Sequence, residues 1–181
     1  MNTYPTELEA WVTTASGERL FVRPVRADDA TLLRREVDQA DPETLYQRFF
    51  TPQPRINDDT ITYLTAIDYQ RRMALVAFTE DGEAAGIARY EALEAPNRAE
   101  VAVTVKPSMR RRGIARLLLE MVVHRAHESG FDELEAVCLI ENEAAINVVS
   151  SLGFEFGPPD QGLVIATLPL NPRTTSASTS S

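Results

Sequence analysis

Apolar residues recur along this chain with two different periods, and the change between them divides it. Over residues 28–66 they return every three to four positions. Leu32, Leu33 and Val37 form one stripe, in a helix that Asp28 or Asp29 can cap and that runs to about Gln39. Leu45, Tyr46, Phe49 and Phe50 form a second over residues 42–50. A third short helix over 59–66 follows the break at Pro52 and Pro54. From Met73 the pattern is that of strands. Residues 73–79 (MALVAFT), a turn at Glu80-Asp81-Gly82-Glu83 and residues 84–92 (AAGIARYEA) predict a hairpin, and a turn around Pro96 and Asn97 leads into a strand over 99–105.

The clearest helix covers 113–129, with Ile114, Leu117, Leu118, Met121, Val122 and Ala126 at helical spacing and Gly130 closing it. A strand over 134–140, a helix over 143–152 and a terminal hairpin (154–156, 162–168) complete the pattern. Ahead of all this, residues 19–25 (RLFVRPV) predict a first strand that lies at a sheet edge or ends at Pro24. Residues 1–15 are a lead-in without sustained periodicity that Trp11 can staple to the body. Residues 171–181, rich in Ser and Thr, have nothing to bury and are expected to be disordered. Helices, then antiparallel strands, then alternating strands and helices make 16–170 a single α+β domain with a mixed sheet.

Composition narrows the class. The 181 residues carry 27 acidic and 18 basic side chains, a net charge of −9, and every basic residue except Lys106 is arginine. Such a surface is a poor match for nucleic acid. No run of apolar residues is long enough to cross a bilayer, and the first residues lack the pattern of a signal peptide, so a cytoplasmic protein is expected. Cys138 is the only cysteine, which excludes an internal disulfide and any zinc site built on paired cysteines. It shares a strand face with Leu134, Ala136 and Ile140 and reads as core. His124 and His127 read as surface residues with no metal partner, so no metal is expected.

The chemistry is concentrated where the strand ending at Val105 turns into the helix starting near Gly113. A helix start presents unpaired N–H groups and a partial positive charge. Gly113 permits close approach, Ala115 adds little bulk, and Arg110, Arg111, Arg112 and Arg116 add charge. That is a cradle for a pyrophosphate. Three adjacent arginines read equally well as a solvated helix start. Neither the P-loop nor the Rossmann glycine pattern is present.

The spacing Val105-x-Pro107-x-x-Arg110-x-x-Gly113-x-Ala115 resembles the acetyl-CoA signature of the GNAT superfamily of N-acetyltransferases. A second match is independent of it: Asn142, Ala145, Ile146 and then Leu152-Gly153-Phe154 fall in the register of that superfamily's N-x-x-A-(x)7-G-F segment. The resemblance spans residues 19–170. LFVRPVRADDATLLR (20–34) and TLYQRFF (44–50) are similar to the acetyltransferase domains of bacterial Pat-type protein lysine acetyltransferases. That family implies a mostly antiparallel mixed sheet of about six or seven strands flanked by helices, with acetyl-CoA as co-substrate. Implied donor contacts are Val103, Val105, Arg110 to Arg112, Gly113, Ile114, Ala115, Arg116, Asn142 and Ala145. Pat-type domains are often fused to a synthetase-like or nucleotide-sensing module, and none reads out of these 181 residues.

The resemblance also implies direct transfer from acetyl-CoA to an amine in a ternary complex. A lysine ammonium, with a pKa of about 10.4, must first lose a proton. Glu100 is the candidate base, in the context Ala99-Glu100-Val101-Ala102-Val103, with Ala102 and Thr104 on its own strand face. Taken alone, a strand glutamate reads as a solvated carboxylate. A backbone N–H near Val103 to Val105 can serve the oxyanion. The superfamily's general-acid tyrosine position is Val149 here, with Ser150 and Ser151 beside it, so the thiolate is expected to leave without an acid. Arg48, Phe49 and Phe50 are candidates to line the acceptor cleft, and Asn142 equally suits a helix cap. The expected acceptor is a protein lysine, with an acyl-CoA synthetase as first candidate. A small amine, or a non-catalytic acyl-CoA sensor, is the alternative, and the chain is expected to be a monomer or homodimer. Away from the arginine cluster the chain is more acidic still, which favours a cationic acceptor in a salt-dependent way.

Overall fold

The computed structural model describes residues 3–171. In chain order it contains β1 (Ala10–Thr13), β2 (Arg19–Pro24), α1 (Ala30–Gln39), α2 (Pro42–Phe49), α3 (Asp58–Thr65), β3 (Arg72–Phe78), β4 (Ala84–Ala92), β5 (Arg98–Val105), α4 (Ile114–Glu128), β6 (Glu133–Leu139), α5 (Glu143–Ser151), β7 (Glu155–Phe156) and β8 (Leu163–Pro169). The strands form one sheet in the order β1-β2-β3-β4-β5-β6-β8-β7. Every neighbouring pair is antiparallel except β5 and β6. The sheet therefore has eight strands where six or seven were expected. The addition is β1, inside the expected lead-in, which makes β2 the second strand and not the edge.

Burial follows the alternation of side chains along each strand. On one face, Leu20, Val22, Met73, Leu75, Ala88, Tyr90, Ala99, Val101, Leu134 and Ala136 meet Ile114, Leu118, Leu119, Val122 and Ala126 of α4 in the main core. The aligned rows of small and branched side chains suit a helix laid across a pleated surface. Tyr90 keeps its hydroxyl satisfied by bonding the Gln70 carbonyl and Ser129 Oγ, each at 2.9 Å. Gly86 lets β4 press on the end of β5: a Cβ there would stand 3.0 Å from the Thr104 carbonyl oxygen.

The other face is covered more loosely by α1, α2 and α3. Asp41 caps α2 by accepting from the Thr44 N–H at 2.8 Å, and Asn57 caps α3 by accepting from Thr60 at 2.9 Å. No residue of α1 is fully buried. Leu32 and Leu33 instead face a cavity of about 330 Å³ between α1 and the sheet, whose floor is Val76, Ile87 and Thr104. Ile140, expected in the core with Cys138, lies just past the end of β6 and is exposed, while Cys138 is 4% exposed. Trp11 is half exposed and stacks on Phe21 with the Arg19 guanidinium over its ring. The expected tail lies outside the described residues, apart from Asn171.

Candidate active site

β5 is paired on both edges for only half its length. Its parallel ladder with β6 runs from Arg98–Glu133 to Val101–Ala136 and stops. Beyond that point β5 stays with β4 as far as Val105, and β6 stays with β8 as far as Leu139. A wedge opens between residues 102–105 and 137–139. The Lys106 N–H donates to the Ala85 carbonyl on β4 at 2.9 Å. Backbone groups in an antiparallel ladder alternate sides, so the N–H and C=O groups of Val103 and Val105 point into the wedge. The Val105 carbonyl accepts from Arg110 Nε at 3.4 Å; the remaining polar backbone groups in such a gap cost free energy unless something pairs with them, which suits the wedge to an extended polar arm.

A loop links the open end of β5 to α4. Arg111 (φ 61°) and Gly113 (φ 75°) both take the left-handed conformation within it. No side chain caps α4 and no acidic residue occupies its first turn. The first helical bond is Leu117 N–H to Gly113 O at 3.0 Å, so the preceding N–H groups lie outside the ladder. A Cβ on Gly113 would stand 3.3 Å from Thr14 Cβ. Ile114 buries its side chain in the core and offers only backbone, and Ala115 is half-buried.

The four arginines have separate engagements. Arg110 donates to Thr44 Oγ1 at 2.7 Å, which donates on to Asp41 at 2.6 Å, and this ties the loop to α2. Arg112 pairs with Glu18 at 3.3 Å and Arg116 with Glu120 at 2.8 Å, while Arg111 is exposed. An uncapped helix start, two left-handed residues and the positive charge of four arginines in and beside the loop fit a diphosphate.

Across the sheet face opposite α4 the register aligns three carboxylates. Glu91 on β4 stands directly opposite Glu100 on β5, which stands beside Glu135 on β6. Adjacent like charges destabilise a sheet. The outer two are compensated: Tyr63 Oη and Arg72 meet Glu91, and Arg98 meets Glu135. Glu100 has no hydrogen bond or ion pair among the described residues. Burial raises its pKa above the ordinary carboxylate range, Arg48 on α2 opposes the rise, and Glu135 adds to it. Burial likewise raises Glu91, with Glu100 contributing.

Arg48 is mostly buried over the Phe49 ring, 5.2 Å from its centroid. Burial lowers its pKa against the pull of Glu100 and Glu91. Arg89, two positions before Glu91 on the same face, is only 8% exposed and donates to the Leu64 carbonyl at 3.0 Å. Burial and the neighbouring Arg48 and Arg72 lower it to about 9, still protonated at neutral pH. Sequence patterning did not single out Arg89 or the carboxylate row.

Asn142 caps α5, its Oδ1 accepting from Ala145 N–H at 3.1 Å, so both residues sit at a helix start. Val149 is 5% exposed in the core, and Ser151 Oγ donates to the Val148 carbonyl of its own helix. Phe50 ends α2 in the left-handed conformation. His124 lies 3.4 Å from Glu128 on the surface.

A family model for the acetyltransferase (GNAT) domain matches residues 19–155. An acetyltransferase of Pseudomonas aeruginosa is 31% identical over 170 residues, covering 91% of each chain. Among solved structures, the GNAT domain of S. lividans PAT is similar with a TM-score of 0.84 and 31% identity, over 92% of this chain and 99% of that one. The cAMP-binding acyltransferase from Mycobacterium smegmatis is similar with a TM-score of 0.62 and 25% identity, and the match takes in 92% of this chain but 48% of that one.

Proposed function

The chain belongs to the acetyltransferase (GNAT) family, as an acetyl-CoA-dependent N-acetyltransferase, and from that premise we propose that it acetylates the side-chain amine of a protein lysine, with Glu100 as general base. The observation that carries this reading is the position of Glu100. It is the unpaired middle member of a carboxylate row, at the apex of the wedge, on the face that α2 partly covers.

The donor's phosphates lie at residues 110–116 and its amide arm along Val103 and Val105. The acceptor ammonium meets Glu100, which takes one proton. The neutral amine then attacks the thioester carbonyl, and the Val103 N–H bonds the oxyanion. The C–S bond breaks and CoA departs as thiolate, which a thiol pKa near 8.5 permits without a side-chain acid, and the proton that the amide nitrogen still has to lose passes to that thiolate, giving neutral amide and CoA thiol. The buried valine at 149 is consistent with that route. A raised carboxylate pKa brings Glu100 closer to working pH and makes it a more effective base. The net charge of −9 and the Pat-type pattern of residues 20–50 support a cationic protein acceptor.

Glu100→Gln tests the assignment. Turnover should fall at least about 100-fold, the lower range for a general base, with acetyl-CoA affinity retained. Near-normal turnover would remove Glu100 from the mechanism. Incubation with acetyl-CoA and acyl-CoA synthetases, followed by mass spectrometry, tests the acceptor, and labelling of free small amines alone would overturn the lysine reading.

A further inference from the structure

The turn between β1 and β2 is built against the phosphate loop. Thr14 is 5% exposed and closes the turn: its N–H donates to the Glu18 carbonyl at 2.9 Å, and its Oγ1 accepts from the Glu18 N–H at 3.1 Å. Thr14 Oγ1 lies 3.0 Å from Ser16 Oγ, and Ser16 Oγ donates to the Arg112 carbonyl at 2.7 Å. Each hydroxyl has one proton. With that of Ser16 committed to Arg112, Thr14 donates to Ser16, and the bonds form a chain that ends on the loop backbone. In a trans peptide the C=O and the next N–H point in opposite directions. Holding the Arg112 carbonyl against Ser16 therefore turns the Gly113 N–H away from the turn, as a donor at the start of α4. Two residues on, Glu18 approaches the same arginine's Nη1 with both oxygens, at 3.3 and 3.4 Å.

We propose that this turn is a working part of the donor site: Ser16 is a positioning residue that orients the Arg112–Gly113 peptide for the diphosphate of acetyl-CoA, and Glu18 competes with that diphosphate for Arg112. The inference rests on the donor reading given above. It assigns opposite signs to two residues of one turn. Ser16 raises donor affinity, and Glu18 lowers it because its pairing with Arg112 must be exchanged when the anion arrives.

Titration calorimetry of the full chain with acetyl-CoA separates the two roles. Ser16→Ala should weaken binding about 5- to 10-fold, the worth of one hydrogen bond, with KM for acetyl-CoA rising by more than kcat falls. Ser16→Thr, which keeps the hydroxyl, should restore most of the affinity. Glu18→Gln should tighten binding about 2- to 5-fold, as expected for release from a partly exposed ion pair, and steepen its salt dependence. A gain in affinity cannot come from misfolding. Unchanged affinity in Ser16→Ala, or weaker binding in Glu18→Gln, would overturn the proposal. If the wild-type chain does not bind acetyl-CoA, the donor reading itself fails, which is a different outcome.

Discussion

Gly113→Ala should impair both the fold and the donor site, and Gly82→Ala separates the contributions. Gly113 has φ +75°, where alanine costs about 1 kcal/mol relative to glycine. Its new methyl would also stand 3.3 Å from Thr14 Cβ. Thr14 is buried and held at both ends of its turn, so relieving the contact should cost about another 1 kcal/mol. For a chain of this length a loss of about 2 kcal/mol lowers Tm by about 4–8 °C. Gly82 has φ +82° with no atom within 4 Å of its would-be Cβ, so Gly82→Ala incurs only the conformational cost, about 2–4 °C. Thermal melting supplies the first readout. The second is KM for acetyl-CoA, which should rise about tenfold in Gly113→Ala, as for loss of about 1.4 kcal/mol of binding, and stay unchanged in Gly82→Ala. Equal Tm losses in the two variants, with KM unchanged in both, would refute the contact between the turn and the loop as the reason for a glycine at 113.

Glu100→Gln should raise Tm at pH 7.5 even as it slows turnover. A carboxylate raised in the folded state binds its proton more tightly there than in the unfolded chain, so stability falls as pH rises from the ordinary glutamate value through the folded one. A melting temperature unchanged or lowered at pH 7.5 and at pH 4 alike would contradict the burial argument. Val149→Tyr, which places a phenol at the superfamily's acid position, should not accelerate turnover and should cost about 1–3 kcal/mol through overpacking; a faster enzyme would show that an acid was wanted. Self-acetylation at Lys106, whose Nζ lies 3.7 Å from Glu36 and 3.8 Å from Glu83, should increase in the Glu36→Gln/Glu83→Gln double variant. Unchanged labelling in peptide mass spectra would mean that the ion pairs do not guard it.

Elements with several turns or alternations were legible in the sequence. Ile114 to Ala126 announced α4, and residues 84–92 match β4 to the residue, because many positions vote for one period. β1 escaped notice because it is only four residues long and Ala10, Trp11 and Val12 are apolar in succession, so the sequence shows no alternation although their burial alternates; its pairing with β2 defines it. The junction from β5 through the arginine loop into α4 was readable because its residues are consecutive. The carboxylate row was not, since Glu91, Glu100 and Glu135 meet only through cross-strand register. Nothing in the local pattern marks Arg89, because its burial depends on α3 lying over that face. The Thr14–Ser16–Arg112 chain spans nearly a hundred residues, and no local pattern encodes it.

The lone cysteine has a practical consequence. Transfer releases CoA with a free thiol, which a disulfide reagent in solution can count continuously. Cys138, 4% exposed in the main core with its thiol pKa raised by burial, should be silent to that reagent while the chain stays folded. Colour that develops with the acceptor present then measures product alone, and colour without acceptor reports hydrolysis of the thioester or loss of the fold.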